Sequence, residues 1–321
     1  VPPQREQGIP WCDETWNPVR GCTRVSRGCE QCYAEKIAAR FCGEPGSPFY
    51  TFARQGPARW TGKVELVPEK LEEPIHWRKP RRVFVNSMSD LFHERLSNED
   101  IAAVFGVMGF CSHLTFQVLT KRPERMKRWF EWLEGKDRPR ELWRIPPALF
   151  LPANVVVAPG NWPLPNVWLG VSVEDQTTAD ARIPVLLETP AALRFVSYEP
   201  ALGPVDFERE APVNTNRGPK SVQPLYCAEA NGVGKLGWII VGGESGPKAR
   251  PFDVARAFSV VEQCRRAGVP CFVKQLGAYP ILDPRYVRPG ATRRLRDRAG
   301  ADPSEWPEDL RVREFPEVHR G

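Results

Sequence analysis

The sequence is poor in histidine and methionine, with four and three among its 321 residues. His76, His93, His113 and His319 form no HxH or HExxH pattern, so a histidine-built hydrolytic metal site is not expected. No apolar run reaches the ~18 residues of a membrane-spanning helix. No charged-then-apolar leader opens the chain, so a cytoplasmic protein without a membrane partner is expected. Lysine is also scarce, with 11 Lys against 34 Arg. That excess suits forked contacts to phosphate, and equally fits a bias in genome base composition. The net charge of +6 permits a nucleic-acid partner without demanding one. Nine cysteines cannot all pair within one chain, which excludes a complete disulfide framework.

Hydrophobic residues make up 41% of the chain, enough to bury a sizeable core and too many for a disordered chain. Continuous apolar runs recur at residues 83–86, 116–120, 167–172, 193–197, 238–242 and 271–274. Unbroken rather than alternating runs suit strands buried on both faces of a parallel sheet. A first strand is expected near residues 16–20. Helical spacing lies between them: over 98–111 with Asn98 as N-cap, over 123–133 with Pro123 in the first turn, and over 253–267 with Gly268 as C-cap. This alternation predicts an α/β fold, a full or partial (β/α) TIM-type barrel over residues 1–280. An open doubly wound sheet is the alternative, and no glycine-rich GxGxxG turn is expected to support a dinucleotide-binding version of it. Residues 134–166 and 206–236 read as insertions, the second as a long surface loop. Residues 281–321 read as a C-terminal extension, Arg-rich at Arg285, Arg288, Arg293, Arg294, Arg296 and Arg298.

Cys12, Cys22, Cys29, Cys32 and Cys42 crowd into the first 42 residues, which favours metal binding over disulfides. Trp16-Asn17-Pro18-Val19-Arg20-Gly21-Cys22 leads into Cys29, Cys32 and Tyr33, a C-x6-C-x2-C spacing. Three thiolates on one loop can hold three irons of a [4Fe–4S] cluster and leave the fourth open to an outside ligand. Gly21 and Gly28 let such a loop wrap tightly. Helix formers over 34–41 would aim an N-terminal dipole at the anionic cluster. The alternative is a closed zinc site of Cys12, Cys22, Cys29 and Cys32, in which only Cys29-x2-Cys32 has the usual short spacing.

These residues carry a resemblance. Asn17-Pro18-x-x-Gly21-Cys22, followed by Cys29-x-x-Cys32-Tyr33-Ala34-Glu35, resembles the cysteine loop of radical S-adenosylmethionine (SAM) enzymes, notably relatives of spore photoproduct lyase. More closely, the chain is similar to a phage- and bacteria-encoded three-Cys-motif family of unknown function. The likeness runs through most of residues 10–280 and includes Thr120-Lys121-Arg122, Ser197-Tyr198-Glu199-Pro200, Gly242-Gly243-Glu244-Ser245-Gly246 and Phe272-Val273-Lys274-Gln275. The first cysteine gap is three residues longer than the familiar C-x3-C-x2-C. The resemblance implies a [4Fe–4S] cluster on Cys22, Cys29 and Cys32, SAM on the open iron, and a 5′-deoxyadenosyl radical that abstracts a substrate hydrogen. It also implies an external low-potential electron donor. The substrate expected is a nucleic-acid base or nucleotide; lyase, isomerase and base-modifying chemistry all stay open. The alternative is a zinc-stapled nucleic-acid-binding protein without catalysis.

Reactive groups of a parallel barrel sit at the carboxyl ends of its strands. Asn86, Ser87, Ser89 and Asp90 suit the SAM amino group or ribose, or else form a capped turn. Lys121 suits the SAM carboxylate or a substrate phosphate. Ser172 and Glu174 follow, with Glu174 placed for ribose hydroxyls or, with Asp175, for helix capping. Glu199 and Glu244 are expected to grip a base edge or transfer a proton. Lys274 needs a function or a salt bridge to one of these carboxylates, since an unpaired buried lysine is costly. His93 is a candidate pocket residue. Cys111, Cys227 and Cys271 are candidate hydrogen-atom donors or simply small buried residues. The run His76-Trp77-Arg78-Lys79-Pro80-Arg81-Arg82 is a candidate phosphate contact or a solvated face.

Overall fold

The computed structural model describes residues 8–40, 51–52, 59–135, 162–227, 232–246, 248–282 and 295–317. Seven strands share one sheet: β1 (Glu14–Trp16), β2 (Arg82–Val85), β3 (Thr115–Thr120), β4 (Val167–Val173), β5 (Leu193–Tyr198), β6 (Leu236–Gly242) and β7 (Cys271–Gln275). Their order in the sheet is their order in the chain. The β1–β2, β2–β3, β5–β6 and β6–β7 pairs are parallel. A doubly wound sheet reverses direction at a switch point; this order never reverses. It is the order of a partial (β/α) barrel, with β1 and β7 at its two ends. The string Gly232-Val233-Gly234-Lys235-Leu236-Gly237 matches GxGxxG, but it runs into β6 instead of joining a strand to a helix.

Among the described residues the α-helices are α1 (Tyr33–Arg40), α2 (Asn98–Phe110), α3 (Pro123–Glu134), α4 (Gln176–Glu188) and α5 (Ala255–Ala267). The chain divides into two compact units: residues 1–25 with 32–169, and residues 26–31 with 170–321.

In the first unit, β2 and β3 bury Val83, Val85, Phe116 and Val118, as continuous apolar runs require. On α2, Ile101, Val104, Phe105 and Met108 are buried, and on α3, Met126, Trp129, Phe130 and Leu133. Phe105 stacks on Trp129 at 4.4 Å, so the two helices share one aromatic layer. The N-cap of α2 is Ser97, not the expected Asn98: its side chain accepts from Asp100 N and the Asp100 carboxylate returns a bond to Ser97 N. The first strand also lies earlier than residues 16–20. Pro18 has no N–H to continue a ladder, and Val19–Arg20 pairs instead with Glu65–Leu66 in a separate two-stranded sheet.

In the second unit, Phe195, Trp238 and Phe272 line successive strands. Gly170 is where β4 meets β5, since a Cβ there would lie 2.6 Å from the Phe195 ring. α5 ends on Gly268 at φ 63°, as its sequence signal predicts. α4 starts on an Asp175–Thr178 capping box and contains Pro184, which hid it as a helix in the sequence. Residues 206–236 are not one long loop. Ala211–Thr215 and Gly218–Val222 pair as an antiparallel hairpin, tied to α4 by Asn214 N donating to Glu188 Oε1 at 2.6 Å. This hairpin occupies the β5–β6 connection, where a helix would otherwise lie. Part of the C-terminal extension covers the edge of β7: Val273 N donates to Val312 O, and Glu314 N to Cys271 O. Residues 136–161 of the first insertion lie outside the described residues, as do Cys42, His319, Arg285, Arg288, Arg293 and Arg294.

Candidate functional site

The cysteine segment leaves the carboxyl end of β1 and is pinned at several points. In the first unit its root is built by the turn after β2. Ser87 Oγ and Met88 N donate to Asn17 Oδ1 at 3.1 and 3.0 Å, and Ser89 Oγ donates to Val19 O at 2.8 Å. Gly21 takes φ 84° and bridges to Ser89, a backbone conformation that requires glycine. Arg24 Nε donates to Glu35 Oε2 at 3.1 Å, and Trp60 N donates to Glu35 Oε1 at 2.7 Å. Tyr33 Oη donates to Ser87 O at 2.5 Å. The Cys32-Tyr33-Ala34-Glu35 part of the motif thus clamps the start of α1.

Cys22 follows Gly21 and its thiol donates to Thr23 O at 3.4 Å, and Thr23 in turn meets a charged cluster. Asp90 is buried and accepts four hydrogen bonds: from Phe92 N, Thr120 Oγ1, Lys121 N and Arg122 Nη1, at 3.0, 2.7, 3.1 and 2.9 Å. Its acceptor positions are filled within the protein, so the structure assigns it to Arg122 instead of a ligand. Arg122 Nη2 donates to Thr23 O and Thr23 Oγ1 at 3.0 and 2.9 Å. His93 Nε2 lies 2.8 Å from Thr23 Oγ1, and Arg95 N donates to His93 Nδ1 at 3.1 Å. Nδ1 is therefore the lone-pair nitrogen and Nε2 carries the proton. Burial, then the Arg122 charge, pulls the His93 pKa down to about 4, so the ring is neutral at pH 7.

Of the four polar residues after β2, Asn86 is the one with unused capacity. It sits at φ 62° with its Oδ1 accepting from Val19 N at 3.3 Å. Its buried Nδ2 has no hydrogen-bond partner. An orphaned donor in a left-handed, non-glycine residue at a strand end is the mark of a group held ready for an acceptor. Lys121 is half-buried, and its backbone N donates to Asp90.

In the second unit, Arg27–Cys29 forms a short 3-10 helix capped by Cys29 N on Ser26 O at 2.9 Å. Glu174, 1% exposed, holds this segment: Ser26 Oγ donates to its Oε1 at 2.8 Å, and Arg182 Nη1 to its Oε2 at 3.1 Å. Arg182 Nη1 also donates to Ser172 O at 2.6 Å. Glu174 is thus committed within the protein and is not left for ribose hydroxyls. A Cβ on Gly28 would stand 2.4 Å from Glu174 Oε1, so Gly28 is required for space, whereas Gly21 is required for its backbone angle. Helix α4 is capped by Asp175. Lys274 Nζ pairs with Glu199 Oε1 and Oε2 at 2.9 and 3.2 Å. Glu244 is held by Arg250, whose Nη2 and backbone N donate at 2.6 and 2.8 Å, and Arg250 Nη1 reaches Glu30 at 2.9 Å. The two expected carboxylates therefore each have their own cation.

None of the described cysteines is in a disulfide. Cys22, Cys29 and Cys32 are half-buried. Cys22 and Cys32 belong to the first unit and Cys29 to the second. As a donor type, partly accessible thiols outside any disulfide suit an iron–sulfur cluster. The orphaned Asn86 amide adds a donor for an oxygen-bearing ligand. Among the described residues, no three His, Cys, Asp or Glu side chains are gathered closely enough to hold a metal ion together.

Cys12 stands apart, before the amino end of β1, and burial pushes its thiol up to about 12. It is poorly placed for the four-cysteine zinc alternative. Cys111 is likewise pushed up to about 12 by burial; Cys271 is buried beside Cys264, and Cys227 donates to Gly234 O at 3.3 Å. The basic run before β2 lies at the amino end of that strand, opposite the polar strand ends. Two of its arginines are paired there, Arg81 with Glu14 at 3.3 Å and Arg82 with Asp13 at 2.8 Å.

Sequence reasoning chose Lys121 and passed over Arg122, Thr23 and Asn17. The signal was present in the motifs themselves, where Asn17, Thr120 and Arg122 stand beside the residues chosen. No helix of the described residues is long and apolar enough to cross a membrane. No curated protein and no solved structure matches the chain. One family model matches over residues 6–304, and on that match the chain belongs to the family described as protein of unknown function (DUF5131).

Proposed function

We propose that the chain is an iron–sulfur enzyme of the radical SAM kind, with Cys22, Cys29 and Cys32 as ligands of a [4Fe–4S] cluster. The observation that carries this reading is the set of three half-buried thiols, none in a disulfide, on the segment leaving β1, in a parallel sheet whose strands follow chain order. The cluster and SAM together supply the one-electron chemistry that begins a radical reaction. Around them the chain's own groups orient and bind. Asn86 Nδ2 would donate to an acceptor oxygen of the cofactor, and Lys121 would supply a cation for its carboxylate. Ser87 and Ser89 support the loop, and Glu174 with Ser172 anchors it through Ser26 and Arg182. On the substrate side, Lys274 Nζ donates to Glu199 Oε1, a partly exposed pair able to hold or pass a proton. Glu244, fixed by Arg250, presents a second carboxylate for a base edge.

The substrate class, a nucleic-acid base or nucleotide in modification or repair, is supported by the net charge of +6 and by the arginine excess. A low-potential donor of the flavodoxin or ferredoxin type supplies the electron. The test is iron and acid-labile sulfide analysis of protein reconstituted without oxygen. About four of each per chain is expected, falling sharply in Cys22→Ala, Cys29→Ala and Cys32→Ala but not in Cys12→Ala. A protein that takes up zinc alone, and no sulfide, refutes the reading.

A further inference from the structure

We infer that a cavity against the first turns of α5 is a binding site for a small α-amino acid; nothing in this inference rests on the cysteine reading above. The cavity has a volume of about 220 Å³ and opens to solvent. Among the described residues it is lined by Pro204 and Val205 of the segment after β5, by Asp253 just before α5, and by Ala255, Arg256 and Ser259 of α5. Ser259 stands three positions after Arg256 and four after Ala255, so these three share one helix face. Pockets for cofactors and drug-sized ligands usually run from about 300 to 1,000 Å³. This one suits a molecule smaller than a nucleotide.

Its lining holds opposite charges that do not neutralise one another. Arg256 and Asp253 are half-buried, and among the described residues neither belongs to an ion pair. Arg256 Nη1 donates to Ala201 O at 2.7 Å, which ties down the side chain and leaves the rest of its fork without an acceptor among those residues. Asp253 Oδ1 accepts from Ala255 N at 3.0 Å, and its Oδ2 accepts from no described residue. Ser259 Oγ accepts from Gln263 Nε2 at 3.0 Å, so the hydroxyl proton is left to give. Gln263, 5% exposed, also fixes the facing segment: it donates to Val205 O at 3.1 Å and accepts from Phe207 N at 2.7 Å. A pair that served the fold alone would bring the two charges together. Here each is pinned by one bond to the backbone and keeps its remaining capacity. A guanidinium and a hydroxyl proton in one cavity suit a carboxylate, and the Asp253 carboxylate suits an ammonium. A phosphate would meet the Asp253 charge and is disfavoured. An α-amino acid carries both matching groups on one carbon, and its side chain would lie against Pro204, Val205 and Ala255.

The experiment is isothermal titration calorimetry of the full chain with L-alanine, L-serine and L-valine, and with acetate, methylammonium and inorganic phosphate as partial or mismatched ligands. An amino acid is expected to bind more tightly than acetate or methylammonium, and phosphate least of all. Asp253→Asn keeps the bond from Ala255 N and removes the charge, and Arg256→Gln removes the guanidinium. Each is expected to weaken amino-acid binding about tenfold or more, and Ser259→Ala by less. Ala255→Leu fills the cavity without touching either charge and is expected to abolish binding. Should Arg256→Gln fail to fold, Asp253→Asn and Ala255→Leu carry the test. No heat with any of the amino acids overturns the proposal. So does unchanged affinity in the folded variants, or phosphate binding as tightly as an amino acid.

Discussion

Glu174 and Gly28 form a pair in which a side chain and the absence of one are equally necessary. The carboxylate lies where a Cβ on residue 28 would be, at 2.4 Å, and it anchors Ser26 and Arg182. Gly28→Ala must displace a buried, ion-paired carboxylate, and overpacking of this kind costs roughly 1–3 kcal/mol. Glu174→Ala leaves Arg182 buried and unpaired, for about 3–5 kcal/mol. Urea unfolding measures both, and Gly28→Ala at wild-type stability would contradict the packing described. His93 provides a pH test. Its folded pKa of about 4 lies below the ordinary value of 6.5 because of burial and the Arg122 charge. Above 6.5 the ring is neutral in the folded and unfolded chain alike. As pH falls toward 4 the unfolded chain takes up a proton that the folded one refuses, so stability is lost over that window. The wild-type advantage over His93→Gln is expected to shrink as pH drops from about 7 to about 4.5; a constant difference contradicts the neutral, doubly bonded ring.

At the scale of elements, six of the seven strands were legible because a strand buried on both faces reads as an unbroken apolar run. The first was misplaced, because β1 has three residues and its apolar signal spills past Pro18 into a different sheet. Helix α4 was hidden by Pro184. The hairpin was hidden by its polar outer strand, although Ala211, Val213 and Thr215 alternate with exposed Pro212 and Asn214. Asn98 was taken for the cap because it directly precedes the helical pattern, whereas Ser97 and Asp100 satisfy one another. Ser97→Ala is expected to cost about 1 kcal/mol, seen as a lower urea midpoint, and Asn98→Ala much less. At the other end of the sheet, truncation after residue 309 removes the ladder bonds from Val312 and Glu314 and the Phe315 ring packed at 5.2 Å on Phe272. The bared edge of β7 is expected to lower the melting temperature and to promote association, read by light scattering. A truncated protein that stays monomeric at wild-type stability contradicts a structural role for that segment.

For the whole molecule, the cysteine spacing and the polar residues at strand ends were legible, and the partners of each group were not. Asp90, Glu174 and Glu244 read as ligand-binding carboxylates in the sequence, yet each is held by an arginine: Arg122, Arg182 and Arg250. A sequence shows which residues stand at strand ends, but which of them neutralise one another depends on contacts across more than thirty positions in the Asp90–Arg122 case. The proposed site draws on a small set: the three half-buried thiols, the Asn86 amide and the partly exposed Lys274–Glu199 pair. The measurement that bears most directly on the account is EPR of the reduced, anaerobically reconstituted protein with and without SAM. A [4Fe–4S] signal that shifts when SAM is added, and is absent in Cys22→Ala, is the predicted result. A signal indifferent to SAM, or no signal from a protein that holds only zinc, contradicts it.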